Sequence, residues 1–148
     1  MLFSDMFKDA KIERVMNGVA AGQAANTGTE VDMQGYDSVL FIGCFGAITA
    51  TGTITMKAQQ DTATGMATAA DLLGTAVAMD SDDDNRMLLL NLFRPRERFV
   101  RVIVTTATAN GVIDSVVAIK YNARSLPITQ GTDVAAGESH ASPAEGTA

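Results

Sequence analysis

Residues 98–124, RFVRVIVTTATANGVIDSVVAIKYNAR, constrain this chain more than any other stretch. Val100, Val102 and Val104 share one face of an extended backbone, and Phe99, Arg101, Ile103 and Thr105 share the other. After Asn110-Gly111 a second run alternates Ile113, Ser115, Val117, Ile119 and Tyr121 against Val112, Asp114, Val116, Ala118 and Lys120. A period of two marks strands, and Asn-Gly supplies the positive φ angles of a tight turn. The pattern predicts a long β-hairpin at the centre of an antiparallel sheet. It holds no catalytic constellation.

The flanking sequence adds shorter strands. Lys11–Met16 reads as a first strand and the Gly-rich 17–29 as a loop. Val31 and Met33 alternate with polar neighbours until Gly35. Ser38–Ile48 and Arg86–Phe93 are apolar at successive positions, which predicts burial on both sides. Gly43 and Gly46 suggest a bulge or a close backbone approach. Thr53–Gln59 alternates as a half-buried strand, 60–70 is polar, and Ala70–Gly74 reads as a helical turn ending at Gly74. Leu2, Phe3, Met6 and Phe7 fit a short amphipathic helix that needs something to dock on. Leu126-Pro127-Ile128 reads as an extended latch, and 129–148 is too polar to fold alone.

Seven or so short strands without long helices indicate an all-β fold, an antiparallel β-sandwich of jelly-roll type. The expected organisation is an N-terminal arm and first strand over 1–29, a sandwich core over 30–124 and an extended C-terminal tail over 125–148. At 148 residues one domain is the expectation. No apolar stretch reaches the roughly 20 residues of a membrane span, and the N-terminus lacks the apolar core of a secretory signal. Cys44 is the single cysteine, so no internal disulfide forms, and its apolar setting predicts a buried, inert thiol suited to a reducing cytoplasm.

The residues that could carry chemistry fall short of it. Asp80, Asp82 and Asp84 have the spacing of a calcium loop, but Asn85 stands where its glycine belongs and Asn91 where its glutamate belongs. A solvated acidic turn is the expectation, with no metal and no cofactor. His140, the one histidine, lies in the tail where nothing would hold it for catalysis. The chain is therefore expected not to be an enzyme. A net charge of −6 argues against nucleic acid as partner. Arg94, Arg96, Arg98 and Arg101 form the densest basic group and read as an interface or ion-pair cluster, which the acidic turn at 80–84 could meet across subunits.

Certain segments, taken in order, resemble a known family. These are VDMQGYDSVLFIGCFGAI, a Thr-rich strand ending KAQQD, ADLLG, LFRPRERFVRVIVT, VVAIKYNARSLPITQGT and the closing SPAEGTA. The order is similar to that of small head decoration, cement or minor capsid proteins of tailed bacteriophages, over most of residues 30–148. The resemblance implies a non-enzymatic structural protein on the exterior of the virion, made and assembled in the bacterial cytoplasm. Its implied partners are the major capsid protein and itself, as a homotrimer, with neither nucleic acid nor membrane. The candidate contacts are Phe3, Phe7, Arg94, Arg96, Arg98, Leu126, Pro127 and Ile128. The alternatives are a tail or head–tail connector component and a carbohydrate-binding sandwich. The latter is disfavoured by the absence of Trp.

Overall fold

The computed structural model describes residues 5–147. A single helical turn, α1 (Met6–Asp9), precedes eleven strands: β1 (Lys11–Met16), β2 (Val19–Gly22), β3 (Ala25–Thr27), β4 (Val31–Asp32), β5 (Tyr36–Ile48), β6 (Thr53–Asp61), β7 (Ala70–Asp71), β8 (Val77–Asp80), β9 (Met87–Phe93), β10 (Phe99–Ala107) and β11 (Gly111–Ala123). They form two antiparallel sheets packed face to face, an all-β sandwich. The first sheet runs β1-β11-β5-β9 with β2 also on β11. The second runs β3-β10-β6-β7, with β4 on β10 and β8 on β6.

The core lies between the sheets. Phe41 and Phe45 of β5, Ile54 and Met56 of β6, Val100, Val102 and Val104 of β10, and Ile113 and Val116 of β11 are at most 2% exposed. Each such side chain contributes roughly 1.5–3 kcal/mol on removal from water. Gly43 is part of this packing, because a Cβ there would lie 2.7 Å from the Phe45 ring. The expected close approach at Gly43 is thus a ring over the backbone. β5 and β11 also shift register between the Gly111–Ile48 and Ile113–Phe45 pairs, where Gly46 and Ala47 stand opposite Val112 alone, a bulge at Gly46.

The central expectation is corrected. β10 and β11 do not form a hairpin; they lie in different sheets, β10 on β6 and β11 on β5. Each strand takes the partner that matches its length, thirteen residues against thirteen and nine against nine. The connection between them is an arch across the core. Thr108, not Asn110 or Gly111, takes the left-handed conformation (φ 67°), and Ala109 N–H donates to the Ala107 carbonyl. Gly111 is needed for space, since a Cβ there would come within 3.0 Å of the Ile54 side chain.

Other expectations change as well. The supposed loop 17–29 contains β2 and β3. Ala70–Gly74 is not helical but a two-residue strand followed by a turn in which Gly74 has φ 76° and Leu73 is fully exposed. Neither β5 nor β9 is buried on both faces; each shows an alternating burial pattern, with one face toward the core.

The termini pack on each other. Gln130 donates to the Phe7 and Ala10 carbonyls and accepts from Ile12 N–H, while Ile128 N–H donates to the Lys8 carbonyl. The predicted helix over Leu2–Phe7 is represented only by α1; Leu2 and Phe3 lie outside the described residues.

Candidate functional site

The two outer faces of the sandwich differ in chemistry. On the second sheet, cross-strand rows pair Arg101 with Gln59, Ile103 with Lys57 and Thr105 with Thr55, and the Arg101 guanidinium donates to Gln59. That face is mostly polar. On the first sheet the rows read Ile12, Ile119, Leu40 and Asn91; then Arg14, Val117, Ile42 and Leu89; then Ser115, Cys44 and Met87. A further row holds Tyr121, Ser38 and Phe93, with the Tyr121 hydroxyl donating to Asn91 at 2.7 Å. Directly opposed residues of antiparallel strands share a face, so the apolar members of these rows make a broad apolar surface, with Ser38 fully buried beneath it. Met87, Leu89 and Phe93 are 61%, 56% and 64% exposed. An apolar face of this extent, rimmed by polar turns, marks an interaction site.

Cys44 belongs to this surface. It is half-buried on the outer side of β5, not sealed in the core as the sequence suggested. The alternation explains it: Phe41, Gly43 and Phe45 take the inward positions and Leu40, Ile42 and Cys44 the outward ones.

The β11 side of the same face is partly roofed by the termini. Met6, Asp9 and Ala10 from the N-terminal turn, Leu126 from the tail, and Ile119 and Tyr121 from β11 line a mainly apolar groove of about 380 Å³. Leu126 is 53% exposed and Pro127 is exposed, whereas Ile128 is half-buried and held by its bond to Lys8. Phe7 faces the tail rather than solvent: a Cβ at Gly137 would lie 2.5 Å from its ring.

The arginines gather at one end of the sandwich. Arg94, Arg96, Arg98 and Arg124 line a cleft of about 590 Å³ with Met33, Tyr36 and Asp37. Arg98 makes a two-pronged contact with Asp32 at 2.8 and 2.7 Å, which holds the Asp32 carboxyl below its ordinary range. Arg124 pairs with Asp37 at 2.8 Å. Arg94 lies 5.1 Å from the Phe93 ring centroid. Neither Arg94 nor Arg96 has an ion pair among the described residues, and both are exposed. Arg101, grouped with them in the sequence, points away onto the second sheet.

The acidic turn sits at the opposite end of β9. Asp80 accepts from Asp82 N–H, Asp83 pairs with Arg86, and Asp84 accepts from Ile48 N–H. These bonds fold the turn onto the sandwich. Among the described residues no group of three or more His, Cys, Asp or Glu is placed to hold a metal ion. His140 contacts Glu138 at 2.6 Å on the exposed tail.

The apolar face was missed because β9 reads as a buried run; its exposure follows only from its place at the edge of a sheet with one covered side. Four consecutive large apolar residues, Met87–Leu90, were the available signal.

No protein-family model matches the chain, and no curated protein matches it. Among solved structures it is similar to a chain from a structure described as “Bacillus endospore appendages form a novel family of disulfide-linked pili”. The identity is 15%, the TM-score 0.46, and the match covers 77% of this chain and 88% of that one.

Proposed function

We propose that this chain is a non-enzymatic structural protein that docks through the apolar outer face of its first sheet. In its finer form the reading is a decoration or cement protein on the outside of a tailed-phage head, with the major capsid protein as partner. One observation carries the docking: the outer face of one sheet carries half-buried Leu40, Ile42 and Val117 beside exposed Leu89, Met87 and Phe93, while that of the other carries half-buried Thr55, Lys57, Gln59 and Arg101. A monomer gains nothing from leaving the first set in water.

The finer form is supported by the order of segments described above and by the termini. The N-terminal helical turn and the start of the C-terminal tail converge beside the apolar face, where Met6 and Leu126 border its groove. The net charge of −6 keeps such a protein soluble before assembly and disfavours contact with packaged DNA. The arginine cleft suits a protein partner better than nucleic acid, because Arg98 and Arg124 already have carboxylate partners. The test is co-sedimentation of the purified chain with tail-free heads of its phage. Ile42→Lys on the apolar face should abolish binding, and Thr55→Lys on the polar face should leave it intact.

A further inference from the structure

The two long edges of the first sheet are treated differently. At the β1 edge the outward amides are taken up by the tail: Ile12 N–H donates to Gln130 Oε1 at 3.0 Å and Arg14 N–H to Asp133 Oδ2 at 3.1 Å. At the β9 edge no described residue does this. The Arg86 carbonyl accepts from Phe45 N–H and the Arg94 amide donates to the Asp37 carbonyl, so the even-numbered residues of β9 face β5. Peptide groups alternate along a strand. The N–H and C=O groups of Met87, Leu89, Asn91 and Phe93 therefore point out of the sheet, and no backbone bond reaches them among the described residues.

Natural sheets protect such an edge with proline, lysine, a bulge or a short strand. The edge strands of the second sheet are two to four residues long. β9 has seven residues, contains no Pro or Lys, and exposes Met87, Leu89 and Phe93 beside its free amides.

We propose that the β9 edge pairs with the β9 edge of a second copy, antiparallel about a two-fold axis. Charge selects this occupant. The turn before β9 is acidic, with Asp82 exposed and in no ion pair among the described residues, and the turn after it carries Arg94 and Arg96, which have none among them either. Seven strand residues, roughly 23 Å, separate the two groups, so they cannot meet within one chain. Antiparallel pairing sets the acidic turn of each copy beside the arginine turn of the other, twice per dimer. The two first sheets then become one, with both apolar faces on the same side and their area doubled. This does not rest on the capsid reading. It replaces the trimer implied by the resemblance with a dimer.

The test is sedimentation velocity on the full chain across a dilution series up to about 100 µM, since an interface of one strand edge is small and a Kd on the order of 10 µM is expected. The expected species has twice the 15.5 kDa mass of one chain. Leu89→Lys, at an exposed position, should weaken the dimer at least about tenfold, the effect of a gatekeeper charge on an edge. Arg96→Asp should weaken it, and adding Asp82→Arg to the same chain should restore it. As a readout free of substitution, the amides of Met87, Leu89, Asn91 and Phe93 should exchange slowly at high concentration and quickly on dilution. A monomer at every concentration, a trimer, or exchange at β9 that ignores concentration would overturn the proposal.

Discussion

The backbone amide of Arg14 donates to the Asp133 carboxylate at 3.1 Å, so a residue of the C-terminal tail closes an edge strand laid down at the start of the chain. Gln130 does the same at Ile12 and ties the tail to the Phe7 and Ala10 carbonyls as well. The tail thus acts as a side-chain substitute for a missing strand. Gln130→Ala combined with Asp133→Ala should raise amide exchange at Ile12 and Arg14 by up to about tenfold, each hydrogen bond contributing roughly 0.5–1.5 kcal/mol. Exchange in β5 should not change. Hydrogen exchange read by mass spectrometry or NMR checks both.

The core depends on rings buried between the sheets. Phe41 is fully buried on β5. Phe41→Ala should cost about 3–5 kcal/mol, the sum of lost transfer energy and the cavity left behind. Urea unfolding would show it as a lower midpoint with an unchanged slope.

A buried ion pair stands at the arginine end of the core. Lys120 is 5% exposed and meets Glu13 at 2.8 Å, donates to the Asp32 carbonyl and lies 4.7 Å from the Tyr36 ring centroid. Removing one partner leaves the other charge in a poor solvent. Lys120→Met should therefore destabilise by about 3–5 kcal/mol, and adding Glu13→Gln should recover most of the loss. A double variant no better than the single one would show that the Lys120 contacts to Asp32 and Tyr36 matter more.

Acid should weaken the fold through its turns. Asp61 is buried at the end of β6 and accepts from Ala63 N–H and Thr68 N–H, and these bonds hold its carboxyl below the ordinary 3.8, the Ala63 bond most. Asp32 is lowered chiefly by Arg98 and Asp71 chiefly by Lys57. A depressed carboxyl stabilises the folded state above its unfolded pKa, and that stability disappears as pH falls through the folded value. The chain should hold its stability from neutrality to about pH 4 and lose it below. Asp61→Asn should be less stable at neutral pH and show a shallower loss in acid. Melting temperatures taken from pH 7 to 3 would measure both.

The sequence makes the long strands legible and leaves their partners hidden. Alternation in Phe99–Ala107 and Gly111–Ala123 marks two extended segments with one face inward, and both exist. Alternation carries no information on which sheet a strand joins, and Asn110-Gly111 fits an arch as well as a hairpin. The apolar run Met87–Phe93 reads as buried because hydrophobicity alone does not distinguish a covered face from one left open for a partner. β2 and β3 are hidden for another reason: in stretches dominated by Ala, Gly, Asn and Thr, pairing to a long neighbour outweighs local preference, and the four-residue β8 is too short to show an alternation. The arginine cluster was legible as a group, but its division into paired Arg98, unpaired Arg94 and Arg96, and outlying Arg101 depended on tertiary placement.

The most direct test of the proposed docking is co-sedimentation of the purified protein with tail-free phage heads, scored by stoichiometry and by the Ile42→Lys variant. The account predicts saturable binding at a fixed number of copies per lattice repeat, lost in Ile42→Lys and kept in Thr55→Lys. Binding that ignores Ile42→Lys, or that needs tails on the particle, would contradict it.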